Sequence, residues 1–125
     1  MLKDAKPVAT VGVKDIKRAR KFYEETLGLA VIEASRPMVV TYHAGGSALL
    51  VYQSEFAGTN KATAVTWSVG SDLAAVVQAL AAKGVAFEHY DFPGMTREGH
   101  LHVGGGMKVA WFKDPDGNIH SLVDR

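Results

Sequence analysis

Thr10, Val13 and Gly28 recur as Thr66, Val69 and Gly84, each pair 56 positions apart in a chain of 125 residues. A repeat of half the chain constrains the fold more than any single motif, because each half must build the same supersecondary unit. Each half opens with a β-type segment, Val8 to Val13 and then Ala64 to Val69. A polar residue follows that can accept from free helix amides: Asp15 in the first half, Ser71 or Asp72 in the second. Next comes an apolar stripe at helical spacing, Ile16, Ala19, Phe22, Tyr23 and Leu27 in one half. Its counterpart is Leu73, Val76, Val77, Leu80 and Ala81. Both stripes stop at a glycine suited to the left-handed position after a helix. The charges of helix one, Lys17 to Lys21 with Glu24 and Glu25, read as its solvated face.

Strands follow without further helices. The first half predicts them near Ala30–Ala34, Met38–His43 and Ala48–Gln53. The second predicts Val85–Tyr90, a short strand near Leu101–Val103, then Lys108–Lys113 and Ile119–Val123. Breaks fall at Arg36-Pro37, Gly45-Gly46, Pro93-Gly94, Gly104-Gly105-Gly106 and Asp114-Pro115-Asp116-Gly117. The glycine run lacks the Lys-Ser/Thr of a phosphate loop and precedes a strand, so it is a turn. The expected fold is α+β: two β-α-β-β-β repeats, about 7–53 and 63–125, forming a curved mixed sheet around a cleft with helices outside. The linker Ser54–Lys61 is too short to divide independent domains, so 1–125 reads as one.

Composition bounds the function. With 47% hydrophobic and 22% charged residues the chain can bury an ordinary globular core. A net charge of +1 offers no field for nucleic acid or a membrane surface. The absence of cysteine excludes disulfides, thiolate metal sites and a cysteine nucleophile. No apolar run approaches ~18 residues, and Met1–Pro7 lacks the apolar core of a signal peptide. A cytoplasmic protein is expected.

Three stretches carry a family resemblance: Val11-x-Val13-x-Asp15-Ile16, Phe22-Tyr23-x-x-x-Leu27-Gly28-Leu29, and Phe112-Lys113-Asp114-Pro115-Asp116-Gly117-Asn118. The chain resembles the vicinal oxygen chelate superfamily, which includes glyoxalase I, extradiol dioxygenases, fosfomycin resistance enzymes and bleomycin-binding resistance proteins. Ser54–Asn60 together with Ala110–Pro115 resembles a bacterial glyoxalase-like branch. The resemblance implies the fold over nearly the whole chain. It implies much less about function, because one fold hosts many chemistries.

Catalytic members of that superfamily hold a divalent metal with four strand residues, typically His, Glu, His and Glu. The resemblance places those positions at Val8, about Leu49, Ala64 and Ser121. None is a good ligand, and shifting each by one residue gives only His120, beside Ser121. Side chains alternate faces along a strand, so if Ser121 faces the cleft, His120 faces away. No metal cofactor is therefore expected at the family site. His100 and His102 have strand spacing that would put them on one face, and with His89 or Asp91 they are the candidate for a divalent metal elsewhere. The plainer reading of that glycine-flanked segment is a polar loop. His43 and His89 read as solvated strand ends, and no serine–histidine–acid spacing is visible.

Strand parity then suggests what lines the cleft. Leu49 implies Val51 and Gln53; Ala64 implies Thr66 and Ser68; Ser121 implies Ile119 and Val123. The resemblance adds Trp111, Val109, Tyr42 and Val40. Trp67 has outward parity and is expected against helix two. The candidate ligand-binding residues are thus Tyr42, Leu49, Gln53, Thr66, Trp111 and Ser121. Such a lining suits an apolar or aromatic small molecule, a metabolite or an antibiotic, held by stacking and a few hydrogen bonds. Two readings stay open: a metal-free binding protein of the bleomycin-resistance type, and a lyase, isomerase or dioxygenase using a relocated metal or none. The resemblance also implies a homodimer.

Overall fold

Each repeat builds its own mixed sheet. The computed structural model describes all of residues 1–125, and its contacts divide it into two units, Met1–Thr59 and Asn60–Arg125. The first unit contains β1 (Ala9–Val13), α1 (Ile16–Arg20), β2 (Val31–Glu33), β3 (Val39–Ala44) and β4 (Ser47–Gln53). Their sheet order is β1-β4-β3-β2. Strand β1 runs parallel to β4, with Ala9 opposite Leu49; β3 is antiparallel to β4, with Tyr42 opposite Leu49. Residues paired across strands share a face. Val11, Val13, Val40, Tyr42, Leu49 and Val51 are all buried and form one such face. Tyr23, from the helical segment, stacks on Tyr42 with ring centroids 6.1 Å apart. That face is the helix-covered core.

The Asp15 carboxylate caps α1 as expected, accepting from the Lys17 and Arg18 amides at 2.9 and 3.4 Å. After Arg20 the coil widens into a π-type turn over Lys21–Thr26, where the Leu27 N–H donates to the Phe22 carbonyl at 2.9 Å. The wider turn rotates Tyr23 fully into the core. Gly28 (φ 74°) and Gly84 (φ 88°) end the two helices in the left-handed region.

The second unit contains β5 (Thr63–Ser68), α2 (Leu73–Ala82), β6 (Phe87–Glu88), β7 (Thr96–Glu98), β8 (Leu101–Gly104), β9 (Met107–Lys113) and β10 (Ile119–Val123). The order is β5-β10-β9-β8-β7, with β6 pairing the far end of β9. Three expectations change here. Neither Ser71 nor Asp72 caps α2 through its side chain; a 3₁₀ turn over Gly70–Asp72 leads into the helix instead. The strand expected over Val85–Tyr90 shrinks to two residues. The short strand expected near Leu101–Val103 is present as β8, but it is half of a hairpin whose other strand, β7, was not expected, with Arg97 opposite His102. Polar, exposed β7 carries no apolar alternation, so period-2 patterning could not reveal it.

The register of β10 on β5 also shifts. Ile119 pairs with Thr63, but His120 pairs with Val65, leaving Ala64 as the extra residue of a bulge. No helix is long and apolar enough to cross a membrane.

Candidate functional site

On the second sheet, Ser121 pairs with Thr66 on one side and Trp111 on the other. All three therefore share a face, and the Thr66 and Ser121 hydroxyls lie 2.8 Å apart. They line a hollow of about 410 Å³. Val109, Met107 and Val123 extend its floor, Thr63 marks one edge, and Phe92, Pro93 and Met95 come over from the segment after β6. Trp111 is boxed in by aromatic rings: Tyr90 at 5.3 Å, Phe92 at 5.3 Å and the His102 imidazole at 4.7 Å between centroids. Its indole is a preformed platform rather than a loose surface ring.

Two contacts hold the covering segment. The Tyr90 N–H donates to His102 Nε2 at 2.9 Å, and His102 Nδ1 stands 3.3 Å from the Val109 carbonyl. Since Nε2 accepts, the ring proton sits on Nδ1 and points at that carbonyl. His102 is thus buried with both nitrogens engaged, tying the segment to β9. Gly104 supports the same segment from below: a Cβ there would lie 2.2 Å from the Gly94 carbonyl oxygen.

The opposite face of this sheet is core. His120 is fully buried, lies flat against Phe112 at 4.8 Å, and accepts from the Trp67 indole through Nδ1 at 3.0 Å. Trp67 shares that face, as its parity indicated, and its indole is committed to His120. Burial pushes the His120 pKa down to about 4, against a smaller opposing pull from Asp114. The imidazole is held neutral and away from the hollow. The Asp114 carboxylate is buried in the turn, accepting from the Asp116 and Asn118 amides at 2.9 Å and the Asn118 side chain at 2.7 Å. It shapes the turn that sets the register of β10.

The first unit corrects two candidates. Tyr42 and Leu49 face the helix, not an open side. Tyr42 is fully buried and donates to Glu24 at 2.9 Å. Arg20 donates from Nε to the same Glu24 at 2.6 Å, so part of the expected solvated helix face is a hydrogen-bonded cluster. Burial, then the Glu24 carboxylate, push the Tyr42 pKa up; the Arg20 bond holds Glu24 below its ordinary value despite desolvation. Val40 and Val51 are likewise core. The open face of β4 carries Leu50 and Tyr52, one residue out of the expected register. With Thr10, Arg36, Met38 and Gln53 they line a hollow of about 620 Å³ within the first unit. On the second unit, the bulge removes Ala64 from the inward set in favour of Thr63, and Ile119 is buried rather than pocket-lining.

His100 and His102 do not converge on a common point. His102 has no free nitrogen, and no group of three or more His, Asp or Glu side chains converges anywhere in the chain. His100 Nδ1 instead faces His89 Nε2 at 3.1 Å. Desolvation first, then the nearby Arg97 charge, hold the His89 pKa below its ordinary value. Sequence reasoning missed Phe92, Pro93, Met95 and Met107. Met107 was accessible from its parity with Val109 and Trp111; nothing in the spacing of Phe92-Pro93 signalled a cover.

A family profile described as the Glyoxalase/Bleomycin resistance protein/Dioxygenase superfamily matches residues 7–121. No curated protein sequence matches the chain. Among solved structures, the chain is similar to lactoylglutathione lyase from Agrobacterium tumefaciens (TM-score 0.71, 15% identity, 98% of this chain and 95% of that one). It is similar to an E126Q mutant of the fosfomycin resistance protein FosX from Listeria monocytogenes, complexed with Mn(II) and 1S,2S-dihydroxypropylphosphonic acid (TM-score 0.72, 16% identity, 99% and 91%). It is also similar to integron cassette protein HFX_CASS4 from the mobile metagenome of a Halifax Harbour sewage outfall (TM-score 0.72, 16% identity, 98% and 99%). At these identities the likeness is one of fold. The resemblance, not the comparisons, assigns ligand positions on these strands. Val8, Leu49 or its neighbour Leu50, Ala64 or Thr63, and Ser121 present alkyl groups and neutral hydroxyls, with no carboxylate or imidazole.

Proposed function

The chain belongs to the Glyoxalase/Bleomycin resistance protein/Dioxygenase superfamily, and from that premise we propose that its second unit binds a small, neutral, aromatic or otherwise apolar molecule without a metal ion. The observation that carries this reading is the Thr66–Ser121 hydroxyl pair beside Trp111, in a hollow whose lining holds no charged side chain. Apolar walls supply the driving force, the indole supplies a stacking surface, and the hydroxyls supply orientation. A charged ligand group would lose its hydration there without gaining a partner. No lining residue is a carboxylate, imidazole or amine, so nothing in the hollow is equipped to move a proton. The protein therefore acts as a binder, sequestering an antibiotic or carrying a metabolite, rather than as a catalyst.

A homodimer belongs to the same reading. Val8, Met38, Tyr52 and Phe56 leave apolar surface exposed on the first unit, of the kind a second copy covers. Light scattering at micromolar concentration should give twice the chain mass; a monomer at every concentration would remove this part of the proposal.

Calorimetry with 2-naphthol, a neutral planar probe with one hydroxyl, tests the site. Saturable one-to-one binding is expected, weakened by at least about tenfold in Trp111→Ala, with 2-naphthyl phosphate binding more weakly than 2-naphthol. Equal affinity for Trp111→Ala, or preference for the phosphate, contradicts the proposal.

A further inference from the structure

Away from the hollow, two imidazoles meet that the binding reading does not use. His89 follows β6, and His100 occupies the turn between β7 and β8. His89 Nε2 and His100 Nδ1 stand 3.1 Å apart, with ring planes 20° from parallel and centroids 5.4 Å apart. The His100 ring is steadied by Phe87, stacked on it at 4.9 Å. His89 is exposed and His100 half-buried, so the facing nitrogens are within reach of solutes.

The distance is informative. Two imidazole nitrogens bound to one ion at about 2.0–2.1 Å lie roughly 2.9 Å apart in square-planar geometry and roughly 3.4 Å apart in tetrahedral geometry. The observed spacing falls between these; with centroids 5.4 Å apart the rings meet head-on as in a hydrogen bond, so each must turn off that line to aim its lone pair at a shared ion.

The geometry points to a two-imidazole site, His89 Nε2 with His100 Nδ1, for a late first-row divalent cation, of which Cu(II) is bound most strongly. No third protein ligand joins them, so water fills the remaining positions. His102, 6.4 Å from His89 between ring centroids, has both nitrogens engaged and contributes none. In the free protein one imidazole donates a proton to the other across the 3.1 Å contact. On binding, that ring gives up the shared proton and takes one from water on its far nitrogen, so both facing nitrogens present lone pairs and no net proton is released. The site lies outside the strands that correspond to the superfamily's usual ligand positions, and its loading is independent of the Trp111 hollow.

Titration of the full chain with CuCl₂ in a non-coordinating buffer, read by calorimetry and electron paramagnetic resonance, tests this. The expected result is one ion per chain with two coupled nitrogens, and affinity reduced at least about tenfold, roughly the loss of one chelating ligand, in both His89→Ala and His100→Ala. His43→Ala, removing a histidine of the first unit, should bind as the parent does. Far-ultraviolet circular dichroism checks that both variants stay folded. Affinity unchanged in both variants, or no binding below millimolar Cu(II), overturns the assignment.

Discussion

The two sheets distribute their hydrogen-bonding groups in opposite ways. In the first, the buried phenol Tyr42 and its partners Glu24 and Arg20 lie on the helix side, and the open face of β4 carries Leu50 and Tyr52. In the second, the Trp67 indole and the His120 imidazole are committed to each other on the buried face, while the open face carries the Thr66–Ser121 hydroxyls beside Trp111. One repeat has placed a polar cluster where it locks a helix. The other has placed one where a ligand can reach it. Each strand position serves either core or surface, so side-chain parity decides which face carries the polar groups.

The comparison can be broken from either side. The largest effect should come from Tyr42→Ala, which empties a fully buried ring site. It should cost about 3–5 kcal/mol of stability in chemical denaturation, with 2-naphthol affinity unchanged wherever the protein remains folded. A loss of affinity without a loss of stability would mean that Tyr42 serves the ligand after all.

Acid should come next. His120 is folded with a pKa of about 4 against 6.5 for the free side chain. Above pH 6.5 it is neutral in both states and its contribution is complete. As pH falls from 6.5 towards 4 the unfolded chain takes up a proton that the folded chain refuses, so stability drops by up to about 3 kcal/mol. His120→Phe should flatten this dependence. A parent stability curve that is level over that range would contradict the buried neutral imidazole.

Gly104→Ala should be milder, about 2 kcal/mol, because its new methyl meets the Gly94 carbonyl. Unlike Tyr42→Ala it should also weaken 2-naphthol binding by displacing the segment that carries Phe92 and Met95. Ser121→Ala should be smallest, below about 1 kcal/mol, since exposed Thr66 can turn to water. Its signature is a few-fold loss of 2-naphthol affinity in calorimetry.

Much of this organisation was legible in the sequence because the repeat fixed the element order and the Asp114-to-Asn118 turn anchored β10. The resemblance placed Ser121 from that turn, Thr66 by its two-residue spacing from Ala64, and Trp111 on the pocket wall. The first repeat offered no such anchor near β4, and a one-residue slip placed Leu49 and Tyr42 on the wrong face. The bulge at Ala64 has no local signal, because the extra residue is an alanine within an otherwise regular β pattern. Strand β7 was hidden for a different reason: Thr96-Arg97-Glu98 is exposed throughout, with side chains that show no apolar alternation. The sequence grouped His89 with His100 and His102 as candidates, and the hairpin decides that His100, not His102, meets His89.

The central claim is that the hollow beside Trp111 binds its ligand with no ion involved. Calorimetry of 2-naphthol against protein dialysed with EDTA, repeated after adding Mn(II), tests it most directly. The account predicts the same affinity in both samples and a loss in Trp111→Ala. Binding that appears only when Mn(II) is restored would contradict it.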